Sequence, residues 1–251
     1  MDYLKFSKDK NAKLKAIKTW SPIKNPRVYS FSLLSGFSCP GALDCQTYAI
    51  ENKKTGKRTI LEGKKTKYRC FSANQEAQYP DTYNQRKFNF DSLQKKSFNQ
   101  LLNLIFKSIP QNAHYIRVHV GGDFFSKDYM EAWYWAARYY KNIQFWAYTK
   151  SIKWMDELEG SRPSNFSMNA SRGSKYDSLI DELNLKSAEV VFHPNEAKER
   201  NLPIDKTEEL AITGKGSFAL VLHGTQGKGS EAGEALKVMN KEGYEYSYNR
   251  K

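Results

Sequence analysis

Three cysteines are the residues of this chain whose type and spacing best suit chemistry. Cys39 and Cys45 lie in the turn-rich stretch Ser35-Gly-Phe-Ser-Cys-Pro-Gly-Ala-Leu-Asp-Cys45 with five residues between them, and Cys70 follows after twenty-four more. Three thiolates converging on one point would make an iron–sulfur site with one iron left open to a further ligand. Gly36, Pro40 and Gly41 allow the backbone to fold tightly around the sulfurs. Other readings stand beside this one. A free cysteine is often plain core packing. A Cys39–Cys45 disulfide would need an oxidising compartment. Zinc held by three cysteines and one histidine is a closer rival, although the short paired spacing of zinc fingers is absent.

A second group of polar residues falls at or near strand ends. Gly121-Gly122-Asp123 closes a strand-like run with two residues that lack a side chain and then a carboxylate. This is either a plain turn or bulge, or a place where a ligand lies on bare backbone with Asp123 accepting from its amine or hydroxyl. By strand alternation Arg117 and His119 share one face, Tyr148 ends the next strand on the same phase, Asn169 the one after, and His193 and His223 close two more. Lys150, just after Tyr148, is placed to meet a carboxylate or phosphate. A lone histidine at a strand end is usually a satisfied structural residue. Several on one phase make His223, His193 and His119 the candidates for a fourth ligand.

The elements that must position these groups alternate. Strands are expected at Arg27–Leu34, Tyr115–Val120, Ile143–Tyr148, Asn165–Asn169, Glu189–His193 and Phe218–His223. Helices are expected at Asp91–Lys107, Tyr129–Tyr140, Ile152–Leu158, Tyr176–Leu185, Glu196–Arg200 and Glu231–Met239. Such a rhythm implies right-handed crossovers and a parallel sheet. The expected fold is therefore α/β, a partial (β/α)6 TIM-like barrel whose polar inner face lines a cavity. The whole chain, 1–251, reads as one domain. Its core spans 27–223, an excursion and loop occupy 46–90, and a C-terminal helix and tail fill 224–251. Residues 1–26 are expected to pack across the outside of the first strand, and 71–90 read as irregular.

Forty Lys and Arg against twenty-seven Asp and Glu give a net charge of +13. That balance favours polyanionic partners, and the basic hairpin-like run 53–69 is the candidate surface for nucleic acid. A solvated charged face, or a compositional bias toward lysine, accounts for the same residues without a partner. No apolar run is long enough to span a bilayer, and Met1-Asp-Tyr-Leu-Lys-Phe does not read as a signal peptide, so a cytoplasmic protein is expected.

The cysteine loop, the run Arg117-Val-His-Val-Gly-Gly-Asp-Phe-Phe125 and the run Phe145-Trp-Ala-Tyr-Thr-Lys-Ser151 together resemble a bacteriophage family called gene product 88, over most of the chain from about Tyr29 to His223. That resemblance implies a phage-encoded protein in the cytoplasm of the host cell. More distantly the arrangement is similar to radical S-adenosylmethionine enzymes. Those are partial barrels with a three-cysteine loop after the first strand and a Gly-Gly-acid motif after the second. That likeness implies a [4Fe–4S] cluster on Cys39, Cys45 and Cys70, and S-adenosylmethionine whose amino group meets Gly121, Gly122 and Asp123. The alternative is a cluster- or zinc-stapled protein that binds nucleic acid without catalysis.

Overall fold

A computed structural model describes residues 3–8 and 11–245. The first two residues of the expected lead-in, residues 9–10 and the end of the expected tail, 246–251, lie outside them. In chain order the strands are β1 (Ser7–Lys8), β2 (Val28–Phe31), β3 (Thr47–Glu51), β4 (Arg58–Glu62), β5 (Tyr115–Val118), β6 (Gln144–Thr149), β7 (Phe166–Ser171), β8 (Ser187–Val191) and β9 (Phe218–Val221). The helices are α1 (Ala12–Lys15), α2 (Phe71–Gln78), α3 (Pro80–Leu93), α4 (Phe98–Ser108), α5 (Lys127–Tyr139), α6 (Ile152–Glu157), α7 (Asp177–Glu182), α8 (Pro194–Glu199), α9 (Glu209–Thr213) and α10 (Glu231–Lys241).

Seven strands form one sheet in the order β1-β2-β5-β6-β7-β8-β9, and β3 and β4 form a separate hairpin. Every pairing in the large sheet is parallel except that of β1 with β2. The expected mixed α/β fold with a mostly parallel sheet is therefore present. Apolar alternation explains the sheet's first face. Ile116, Val118, Phe145, Ala147, Phe166 and Met168 pack with Leu101 and Ile105 of α4 and Met130, Trp133 and Ala137 of α5 in one buried core. The ends of these two helices are fixed by their own side chains. Ser97 and Gln100 make a reciprocal capping box on α4, and Ser126 accepts from the Tyr129 amide at the start of α5.

The opposite face departs from expectation. The lead-in lies outside the first strand only in part: β1 pairs along the outer edge of β2, whereas α1 and the turn after it carry Leu14 and Ile17 against Val28, Tyr115, Trp146 and Phe218, where Ala211 of α9 joins them. The polar face is thus largely covered. Residues 71–90 are not irregular either, because α2 and α3 occupy them. Their buried faces mix Ala73, Tyr83, Phe90 and Leu93 with Ser72, Asn74, Glu76, Arg86 and Asn89, and the polar groups satisfy one another and the backbone. The expected helix Asp91–Lys107 is the end of α3 and most of α4. Lys95, with φ of 55°, turns the chain between them.

Candidate functional site

The loop after β2 is shaped by backbone contacts with the C-terminal ends of the neighbouring strands. The Leu33 amide donates to the Gly121 carbonyl, and the amides of Leu43 and Asp44 both donate to the Gly173 carbonyl beyond β7. Gly41 sits so close to the Lys150 carbonyl after β6 that an added Cβ would come within 2.0 Å of it. A glycine is required there by contact, not by dihedral angle. From Cys45 the chain leaves as the β3–β4 hairpin and returns, with the Lys67 and Tyr68 amides both donating to the Asp44 carbonyl. The twenty-four residues between Cys45 and Cys70 are the length of this excursion. Cys70 then caps α2, and its amide donates to Thr47 Oγ1.

The three thiols are thereby brought near enough to influence one another electrostatically. Burial pushes Cys39 well above its ordinary pKa, and Asp123, Cys70 and Cys45 push it further. Burial raises Cys45 to about 11; Lys150 opposes this, while Cys70, Asp123 and Asp44 add to it. Burial also raises Cys70; the nearby amides of Ala73 and Ser72 and the Ser35 hydroxyl oppose this, while Glu76 adds to it. All three are free, partly buried and, on these shifts, protonated at neutral pH. Among the described residues, no three His, Cys, Asp or Glu side chains approach closely enough to hold a single metal ion.

Asp123 lies beside these sulfurs, but as an anchor. Its Oδ1 accepts from the Phe124 amide and Thr149 Oγ1, and its Oδ2 from the Lys150 amide, each at 2.7 Å. Burial still lifts its pKa to about 6 against those hydrogen bonds. Gly121 and Gly122 are used for packing: a Cβ on the first would meet the Arg86 guanidinium at 2.9 Å, and one on the second Ser38 Oγ at 2.6 Å. Gly122 also has φ of 85°. The Lys150 ammonium is buried under β7, donating to Ser171 Oγ and to the Ser171 and Arg172 carbonyls.

The histidines part company. The amides of His119 and Val120 both donate to the Phe31 carbonyl, and His119 has φ of 70°, so a bulge ends β5 early. The extra residue reverses the alternation. His119 turns among Phe31, Phe124 and Tyr129, with Nε2 on the Tyr129 hydroxyl and Nδ1 unpartnered, while Val120 takes its place on the polar face. Burial, then Arg117, lowers its pKa to about 3. His193 caps α8 through Nδ1 and pairs with Glu242 through Nε2. His223 packs tilted against Phe71, next to Cys70, and burial lowers its pKa to about 4.

On the polar face lies a cavity of about 610 Å³ that includes Ser30 of β2 and Leu220 of β9 in its lining, although four strands separate them in the sheet. Arg117, Tyr148, Lys13, Cys70 and His223 also line it. Behind its wall Glu208, fully buried, accepts from Arg117 Nη1 at 2.7 Å, Trp146 Nε1 at 2.8 Å and Tyr148 OH at 2.9 Å, with Lys13 Nζ at 3.4 Å. Burial alone would raise this carboxyl; Arg117, then Lys13 and the two hydrogen bonds, hold it down at about 2. Asn169 ties α9 to the sheet by donating to the Ala147 and Ala211 carbonyls. Glu208, Lys13, Glu76 and Arg86 have no sequence motif. Their only signal is charge within otherwise half-apolar segments.

The hairpin presents a mixed surface. Phe37, Ile50 and Leu61 are exposed on it, with Tyr48 edge-on to Phe37, and Lys53, Lys54, Lys57, Lys64 and Lys65 make no ion pair among the described residues. Arg58 and Arg69 are instead tied to Glu51 and Glu62. No helix of the described residues is long and apolar enough to cross a membrane. No curated protein and no solved structure matches the chain. The sequence model described as gene product 88, however, matches residues 4–241, nearly the full length, and the chain belongs to the gene product 88 family.

Proposed function

We propose that this phage-family protein is an iron–sulfur protein whose cluster is held by Cys39, Cys45 and Cys70 at the C-terminal end of the parallel sheet. The observation that carries the reading is the mutual influence of the three thiols, brought together by two separate chain returns. The donor set fits a cluster better than one ion. A cluster binds each thiolate through a different iron and so spreads the sulfurs, whereas one zinc needs its ligands on a single small tetrahedron. The α2 amides near Cys70 and the Gly36 amide near Cys39 favour the thiolates that a cluster requires. We read the curvature that brings β2 and β9 to one cavity as that of a partial barrel. S-adenosylmethionine has less support, because Asp123, the acid its amine would need, already accepts three hydrogen bonds from its own chain.

The test is anaerobic expression with iron and sulfide analysis and a visible spectrum. A brown protein that loses colour and iron in each of Cys39→Ser, Cys45→Ser and Cys70→Ser is expected. A colourless protein that takes up no iron on reconstitution would refute the reading. A second reading, nucleic-acid binding, rests on the five exposed hairpin lysines beside Phe37 and Leu61. Binding that falls steeply with salt and weakens when those lysines become glutamine would support it, and no binding at low salt would end it.

A further inference from the structure

The cavity on the polar face has a chemistry of its own, independent of the cluster. Lys13 and Arg117 share the single carboxylate of Glu208, and with Lys15, Arg86 and Lys206 set against Glu76 and Asp205 five cations stand against three carboxylates around the cavity. Lys13 and Glu208 are almost wholly buried, and the Arg117 side chain is 15% exposed. A net positive charge in such a setting is costly without a counter-charge. Arg117 Nε is in addition a buried donor with no acceptor. The guanidinium lies over the Tyr148 ring, 4.8 Å from its centre, which fixes its plane at the cavity wall. Lys206 lines the same cavity with its ammonium 5.2 Å from the Tyr244 ring centre, whereas Asp205 next to it is spent on the Thr207 and Ala211 amides. Arg86, also in the lining, is neutralised by Glu76.

We propose that this cavity binds an anionic small molecule of nucleotide size, with its phosphate groups at Lys13, Arg117 and Lys206 and its planar ring toward Phe71 and His223. Three features select that class. The unmatched charge and the orphan Nε call for an acceptor-rich anion, and guanidinium groups suit phosphate oxygens. The volume of about 610 Å³ is in the range of small-molecule sites and larger than a free phosphate needs. The edge of the cavity near Cys70 is aromatic: the Phe71 and His223 rings, with centroids 4.4 Å apart and tilted by 54°, offer ring faces and edges beside the polar floor of Ser30 and Ser72.

The measurement is isothermal titration of the whole protein with ATP, GTP, AMP, adenosine, inorganic phosphate and S-adenosylmethionine, in parallel on the Cys39→Ser/Cys45→Ser/Cys70→Ser variant. Nucleoside phosphates should bind to both proteins, because no thiol is needed to hold the phosphates. Adenosine should bind at least about tenfold more weakly, the equivalent of one lost charge-assisted contact. Lys206→Gln, at an exposed position that leaves the buried pair intact, should weaken the nucleoside phosphates by about tenfold, and Lys13→Gln by at least as much. Either of two results overturns the proposal: no binding of any nucleoside phosphate at millimolar concentration, or binding that both lysine variants leave unchanged. Preference for S-adenosylmethionine, lost with the cysteines, would overturn it in favour of a ligand held by the cluster. Inorganic phosphate binding as tightly as ATP would remove the nucleotide and leave a plain anion site. Loss of colour in the cysteine variants bears only on the cluster, so the two proposals fail separately.

Discussion

Replacing Glu208 by glutamine should cost the fold about 3 kcal/mol at neutral pH, and the figure follows from the carboxylate's surroundings. Its pKa is held at about 2 against an ordinary 4.5. At about 1.4 kcal/mol per unit, that difference corresponds to about 3 kcal/mol of folded-state stabilisation. A second route gives a similar size, because removing one partner of a buried ion pair costs about 3–5 kcal/mol. Glutamine keeps the length and one acceptor for Trp146 and Tyr148 but leaves Arg117 and Lys13 without an anion. The folded pKa lies below the unfolded one, so the stabilisation is complete above about pH 4.5 and is lost as the pH falls toward 2. Urea unfolding followed by circular dichroism should show the gap between parent and Glu208→Gln at pH 7, narrowing below pH 4.5. Adding Arg117→Met to Glu208→Gln should cost less than the two changes summed, since it removes a stranded charge. A loss under about 1 kcal/mol at pH 7, or a gap that does not narrow in acid, would refute the argument.

His119, held at about 3, sits well below its unfolded value of 6.5, so its contribution is present above pH 6.5 and lost on acidification. Going from pH 7 to pH 5 this group should remove about 2 kcal/mol, and His119→Asn, which tolerates the left-handed backbone, should flatten the slope of stability against pH whatever its level; equal slopes in urea titrations would contradict this. Gly41→Ala places a methyl 2.0 Å from the Lys150 carbonyl and should unseat the cysteine loop, read as faster labelling of Cys39 and Cys45 by a thiol reagent with circular dichroism unchanged. Unaltered labelling would mean that the loop is not held there. Asp123→Ala leaves the Phe124 and Lys150 amides and the Thr149 hydroxyl without their acceptor and should destabilise by at least about 3 kcal/mol; a neutral effect in urea unfolding would show that water replaces the carboxylate freely.

The parallel sheet was legible because its strands carry a period of two and its long helices a period of 3.6, and both periods come from one-sided burial. Legibility failed where burial is partly polar. α2 and α3 bury Glu76 on Arg86 and Asn89 on the Lys5 and Ser32 carbonyls among their apolar groups, so no unbroken apolar stripe announces them. It failed again at His119, because alternation assumes an unbroken strand and the bulge inserts one residue; Gly121-Gly122 two positions later was the available hint. The hairpin between Cys45 and Cys70 could be read from sequence, since its turn and basic strands mark an out-and-back excursion. What sequence cannot reveal is Glu208. It lies in a long connection, on a non-glycine residue with φ of 65°, and only the fold brings it under Arg117, ninety-one positions earlier.

The three sulfurs are not equivalent, and their differences order the chemistry of the site. Cys39 faces the carboxylate of Asp123, which opposes a thiolate there, and has the single amide of Gly36 in its favour. Cys45 has the Lys150 ammonium near it, but that charge is already engaged by three oxygens of β7 and the turn after it. Cys70 is the helix cap: the nearby amides of Ala73 and Ser72 and the Ser35 hydroxyl favour its thiolate, and it alone of the three lines the cavity. A sulfur at a helix N-terminus with donors near it loses its proton most readily. If the three thiols hold a cluster as proposed, an incoming metal would meet Cys70 first, at the cavity wall, and the other two thiols would be deprotonated by the metal's own charge. An anion bound at Arg117 would act on the same thiol with the opposite sign, so occupancy of the cavity should slow metal uptake at Cys70 while leaving Cys39 and Cys45 little affected.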